Sequence, residues 1–338
     1  MKTIQYSLML AAAACGFANA QTTAYTKPVG YITHTVNSLN GQTALTILGP
    51  ALVQPTVFAG ATTGTPSASK VANFTASVPT GLDGSYVLEI TSGTNQGWWS
   101  TVVSSTAGSI TVNDNFPAGI SSGGVSVSVR KHNTVQSFFG ENKAGLIPSD
   151  GATGDEIQIL NPDQSLTPIS YFPASVSGDG DDWYNLSTSE LANNQIIEPG
   201  SAVIVKTNSA TSLSFVSTGE VKTTKTQVDV FPGLTLLAQP QAAGGSYNGL
   251  GLQSALIPVN ANADNTDYDE FQILNADQSL TPNAAADPAL FGTATMYNLA
   301  TSEDSGAVVI SGGAGAIIKR DSTKSASVIT VNGTTVGQ

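Results

Sequence analysis

The chain has 338 residues, a formal net charge of −12, and only 11% of its residues charged. That balance leaves no basic surface to neutralise phosphates and excludes nucleic acid as a partner. Ser, Thr, Ala and Val abound beside 34 glycines, a composition suited to short strands and tight turns, so the predicted fold class is all-β.

The first twenty residues read as a secretory signal. Lys2 supplies the positive end, an apolar run follows, and Ala18-Asn19-Ala20 is a small-x-small cleavage site, which predicts a mature chain starting at Gln21. The apolar run, about 14 residues interrupted by Gln5 and Ser7, falls short of the ~20 that span a bilayer. Cys15 is the only cysteine. Lipidation there is the weaker match, because the bulky residue expected three positions before such a cysteine is absent. The exported chain is therefore expected to hold no disulfide, and the expected location is extracellular or at the cell surface, without a transmembrane span.

After a polar lead, Pro28-Val29-Gly30-Tyr31-Ile32-Thr33-His34-Thr35-Val36 reads as a strand opened by proline. Residues 60–69 form a Gly, Thr and Pro linker into an inserted module at about 61–135. In that module Tyr86, Leu88 and Ile90 alternate with Val87, Glu89 and Thr91, and Val125, Val127 and Val129 alternate with Ser126, Ser128 and Arg130. Both patterns predict strands with one face in solvent.

The stretch DEIQILNPDQSLTP at residues 155–168 recurs as DEFQILNADQSLTP at 269–282, with twelve of fourteen positions identical. Ile157 and Ile159 alternate with Glu156 and Gln158, the period of a half-buried strand. Asn161-Pro162-Asp163-Gln164 reads as a type I turn, and the whole as a β-hairpin. The match extends on both sides. Leu146-Ile147-Pro148 corresponds to Leu256-Ile257-Pro258, Tyr184-Asn185-Leu186 to Tyr297-Asn298-Leu299, and residues 200–206 to 313–319. More faintly, Leu45-Thr46-Ile47-Leu48 corresponds to Leu234-Thr235-Leu236-Leu237. A spacing of 114 residues is too long for a solenoid repeat, so each copy is a domain-sized unit. The predicted plan is a first β-sandwich or barrel-like unit at 21–220, carrying the insertion, and a second at 221–338.

Pro28-Val29-Gly30-Tyr31 after a leader, residues 86–93, Val129-Arg130-Lys131-His132 ahead of Phe138-Phe139-Gly140, Asp155-Glu156-Ile157-Gln158 and Pro199-Gly200 occur in the order of a known group. Over residues 28–206 the chain resembles a family of uncharacterised secreted proteins found mainly in verrucomicrobial bacteria. The resemblance implies export and a β fold, and no chemistry.

Two acidic loops are the candidate metal ligands: Asp179, Asp181 and Asp182, and Asp264, Asp267, Asp269 and Glu270. Clustered loop carboxylates suit calcium, although neither set has the spacing of a known calcium loop, so solvated turn residues are the plainer reading. No other cofactor is expected. Asp155 with Glu156, and Asp269 with Glu270, are neighbours at strand starts; they face opposite ways and cannot flank one glycosidic bond. Trp98 and Trp99, near Tyr86, are the candidate glycan platform, although strand alternation would expose only one of them on a given face. Trp183 corresponds to Met296, which points to core packing. His34 and His132 lack partners at ligand spacing and are expected on a polar surface or sheet edge. No phosphate loop, serine elbow or zinc motif occurs. The functional expectation is a non-enzymatic cell-surface or extracellular structural protein, with self-association through strands near residues 31–36 and 327–331 or with cell-envelope components as partners. Carbohydrate binding ranks second and polysaccharide degradation third.

Overall fold

The computed structural model describes residues 27–333 except 65, 67–68, 121–122, 141–144, 151–152, 179 and 260–267. The predicted leader lies outside the described residues. The fold is all-β and antiparallel throughout its named strand ladders, and the α-helices among the described residues have four or five residues each. Among the described residues no helix is long and apolar enough to cross a membrane.

The first unit is built on a five-stranded sheet. Its strands run Asp182–Asn185, Leu166–Phe172, Glu156–Leu160, Val203–Thr207 and Ala44–Leu48 in spatial order. The second unit repeats that order with Met296–Asn298, Leu280–Ala285, Glu270–Leu274, Gly315–Arg320 and Gly233–Ala238. Against the first sheet packs the ladder of Val29–Val36 with Leu213–Val221, and against the second the ladder of Thr226–Val230 with Ser327–Val331. Even the two-residue ladder of Asn133–Thr134 with Ile196–Ile197 recurs, as Gly245–Ser246 with Val309–Ile310. The faint Leu45/Leu234 correspondence is real in space: Leu45 faces Lys206 and Leu234 faces Lys319, at matching registers.

Each unit closes its own core. Ile157, Ile169, Val205 and Trp183 fill the first; Phe271, Ile318, Met296 and Ile329 fill the second. The core of the second unit is drawn only from residues 228–331, and each of its strands finds a ladder partner within it, so it is a self-contained fold. Trp183 and Met296 are both fully buried at equivalent places, as apolar bulk filling one site requires.

The duplicated hairpins have the same internal bonding. Gln164 N–H donates to Asn161 O at 2.9 Å and Gln278 N–H to Asn275 O at 3.0 Å. The Asn161 amide donates to Ser165 Oγ and Thr167 Oγ1, and Asn275 repeats both bonds with Ser279 and Thr281. The closing residues, Gln164 and Gln278, adopt φ of 70° and 68°, a left-handed conformation that glycine normally supplies.

Those two glutamines explain the departure from glycine. Gln164 reaches into the second unit, donating to Leu234 O at 3.1 Å and accepting from Leu234 N at 2.6 Å. Gln278 does the same in the first unit with Leu45, at 3.1 and 2.7 Å. Further contacts of this seam recur with the units exchanged. Gly49 N–H donates to Gly313 O, and Ala238 N–H to Gly200 O. Leu48 bridges Ala314, and Ser201 bridges Leu237. Ile47 and Leu236 pack at the centre with Leu160, Leu274, Ile204 and Ile317 around them. The two units are thus related by a pseudo-two-fold axis, the isologous arrangement of a homodimer within one chain.

The insertion stands where the second unit has only the short connection Gln239 to Gly244. Its six strands run Thr56–Ala61, Ser126–Lys131, Tyr86–Ile90, Trp99–Thr106, Ser109–Val112 and Val71–Asn73. A bridge from Thr62 to Phe74 brings the first and last strands together, so the sheet curls into a small barrel around Leu88, Ile90, Val102, Ile110 and Val127. It begins at Thr56, earlier than the sequence boundary at 61, because Thr56–Ala61 pairs with Ser126–Lys131.

The expected solvent face of this module is only partly in solvent: Ser126 is exposed, but Ser128 is buried. Glu89 and Arg130 are buried, and Lys222, from the connection between the units, completes the group by donating to Glu89 together with Arg130. The alternation was real, but its polar side meets another module.

Candidate functional site

The three modules meet at a cavity of about 210 Å³ bordered by Trp99, His132, Asn161, Glu198, Asp229 and Leu234. Continuing from it, an adjoining groove of about 270 Å³ shares Trp99 and Asp229 and adds Trp98, Asp114, Gln227 and Val328.

The two tryptophans border the same groove, against the expectation that alternation would separate them. The strand starts only at Trp99; Trp98 belongs to the preceding turn, where Gly97 has φ of 96°. Trp98 rests on Phe116, ring centroids 4.9 Å apart. Trp99 donates from Nε1 to Gln227 O at 3.0 Å, while Gln227 N–H donates to Gly97 O at 3.0 Å. This turn therefore straps the barrel to the first strand of the second unit. A side chain at position 97 would meet the Lys225 backbone at 2.9 Å, so only glycine permits the approach.

Each module contributes one carboxylate: Asp114 from the barrel, Glu198 from the first unit and Asp229 from the second. Asp114 is held by Ser100, whose hydroxyl donates to Oδ2 at 2.8 Å. Although the Glu198 and Asp229 side chains reach solvent, the surrounding walls withdraw water and push both carboxyls above their ordinary range, and the charges of Asp229 and Asp114 push Glu198 further. Pseudo-symmetry puts Ser311 where Glu198 stands, and Thr35 where Asp229 stands. These acids belong to the one junction that the barrel roofs, and the duplicated scaffold does not carry them. Periodicity had no means of finding them, since they come together only through the packing of three modules.

The acidic loops do other work. Asp269 is fully buried and accepts from Arg320 Nε at 2.8 Å and from Ile257 N–H at 3.1 Å. Its counterpart Asp155 accepts from Ile147 N–H at 2.7 Å. Glu156 pairs with Lys206 at 3.0 Å and Glu270 with Lys319 at 3.3 Å across equivalent strands. Asp181 accepts from Ala174 N–H, and Asp182 from the Asn193 amide. Asp179, Asp264 and Asp267 lie outside the described residues. Among the described residues no group of three or more candidate metal ligands gathers.

Both histidines are buried, away from the polar surface that was one expectation, while His34 does lie on an edge strand, the other. His34 stacks on Phe215 at 4.8 Å and shares a 2.8 Å bond with Ser217 Oγ. His132 approaches Thr101 Oγ1 at 3.2 Å beneath Trp99. Burial lowers both imidazoles to about 4, so they are neutral at pH 7.

Of the strands expected to pair between molecules, Val29–Val36 is hydrogen-bonded along one edge only among the described residues, and Val29 and Tyr31 are among the most exposed apolar side chains. Ser327–Val331 likewise has a single partner strand among the described residues. No protein-family profile, curated protein or solved structure matches this chain.

Proposed function

We propose that this chain is an exported, non-catalytic surface protein that binds a glycan in the groove at the three-module junction. One observation carries the reading: Trp98 and Trp99 border a single groove together with Asp114, Gln227 and Asp229. Indole faces stack on sugar rings, and fixed carboxylate and amide groups accept and donate hydrogen bonds to ring hydroxyls. The β scaffolding of the barrel and of the second unit holds both in place, which lowers the ordering cost at binding. The signal-like leader supports export. Glycan-array screening of the mature chain tests the reading. Retention of a glycan that falls at least ten-fold in both Trp98→Ala and Asp229→Asn is expected; retention untouched by both variants, or no glycan retained, overturns it.

A hydrolytic reading has one observation in its favour, the raised carboxyl of Glu198 beside Asp229, because a general acid must hold its proton. Polysaccharide incubated with the chain and assayed for new reducing ends separates the two. Release abolished by Glu198→Gln would make the cavity beside the groove catalytic.

A further inference from the structure

A pseudo-two-fold seam raises a question of partner choice, because a fully symmetric surface would serve a second copy of either unit as readily as the unit next door. The seam answers it on the axis. Gly49 and Ala238 occupy equivalent positions and face each other there; a Cβ on Gly49 would stand 2.4 Å from Ala238 Cβ. Ala202 and Gly315 are equivalent as well, and a Cβ on Gly315 would stand 2.9 Å from Ala202 Cβ and 2.3 Å from Ile47 Cγ2. Each facing pair thus holds one glycine and one alanine. Two alanines do not fit at either place.

We infer that the crossed glycine and alanine pairs, Gly49 with Ala238 and Ala202 with Gly315, make the seam heterotypic, so that each unit accepts its neighbour in the chain and rejects a copy of itself. Two second units would bring Ala238 against Ala238, and two first units Ala202 against Ala202. The neighbouring large residues follow the same rule. β-Branched Ile47 meets Gly315, while its equivalent Leu236, without a Cγ2, lies in the same cluster as Ala202. Rejection of like by like blocks pairing of two first units or two second units from different chains at high local concentration. It also ensures that the cavity beside the groove forms with one barrel, one first unit and one second unit.

The full chain supplies the first test. Ala202→Gly alone removes a packed methyl and lowers the thermal midpoint. In the Gly315→Ala background the same change relieves a collision and, with Ile47→Leu, raises the midpoint again. A change of sign between backgrounds is the expected result; a lowering in both overturns the inference. The second test uses residues 222–338, whose core is self-contained. By light scattering that unit should be monomeric, and Ala238→Gly should tighten dimerisation at least ten-fold. Equal dimerisation of the two, or no dimer of the variant at several times the concentration, contradicts the assignment.

Discussion

Glu89 is the residue on which the junction of the barrel and the inter-unit connection turns. Burial alone would raise its carboxyl, yet the charges of Arg130 and Lys222 outweigh that and hold it at about 2, while burial brings Lys222 down to about 8. Removing the anion strands two buried cations, so Glu89→Gln should cost about 3–5 kcal/mol in chemical denaturation. Lys222→Met added to it should recover part of the loss. Acid acts on the same fold in two stages. His34 and His132 take up protons at about 4 in the folded state, below their ordinary 6.5. The unfolded chain then binds more protons between those values, and stability falls as pH drops from 6.5 toward 4. Glu89, ordinarily at 4.5, adds a further loss below 4.5 as pH approaches 2. His34→Phe keeps the stacking on Phe215, and should shrink the difference in urea midpoint between pH 7 and pH 4.5; an unchanged difference would remove His34 from this explanation.

At the scale of the element, the repeated hairpin is where sequence and structure agree most closely. The strand period, the Asn-initiated turn and the matching flanks of both copies were all legible, because each depends on residues within a few positions of one another. Glutamine at the left-handed position was not interpretable in the same way. Its partner lies 70 residues away for Gln164 and 233 for Gln278, and no local pattern encodes a contact at that range. The barrel strands failed for a related reason: Ser126, Ser128 and Arg130 alternate as a solvent face does, but Arg130 meets Glu89 inside a junction. Trp98 shows the opposite failure, in which alternation was applied to a residue that precedes the strand. A conformational argument gives the hairpin a specific test. Non-glycine residues in the left-handed region cost about 1 kcal/mol or more, and the cross-unit bonds offset that cost only where the other unit is present. Gln278→Gly should therefore destabilise the full chain by about 1–2 kcal/mol and stabilise residues 222–338 on their own by about 1 kcal/mol. The same sign in both would show that the glutamine is not kept for the seam.

Across the whole molecule, duplication and insertion divide the labour. The duplicated units supply a symmetric scaffold, and the barrel breaks the symmetry by roofing one junction and strapping the Thr226–Val230 strand through Gly97 and Trp99. Trp99 and the three carboxylates gather only on that side, which is why a repeated sequence motif pointed to the scaffold and away from the groove. The central claim is that the repeated stretch persists because each copy clamps the other unit. Differential scanning calorimetry of the full chain against Gln164→Ala/Gln278→Ala tests it most directly. A shared melting transition in the wild type, with the second unit's transition separating and moving several degrees lower in the double variant, is the predicted result; a double variant that melts like the wild type would contradict it.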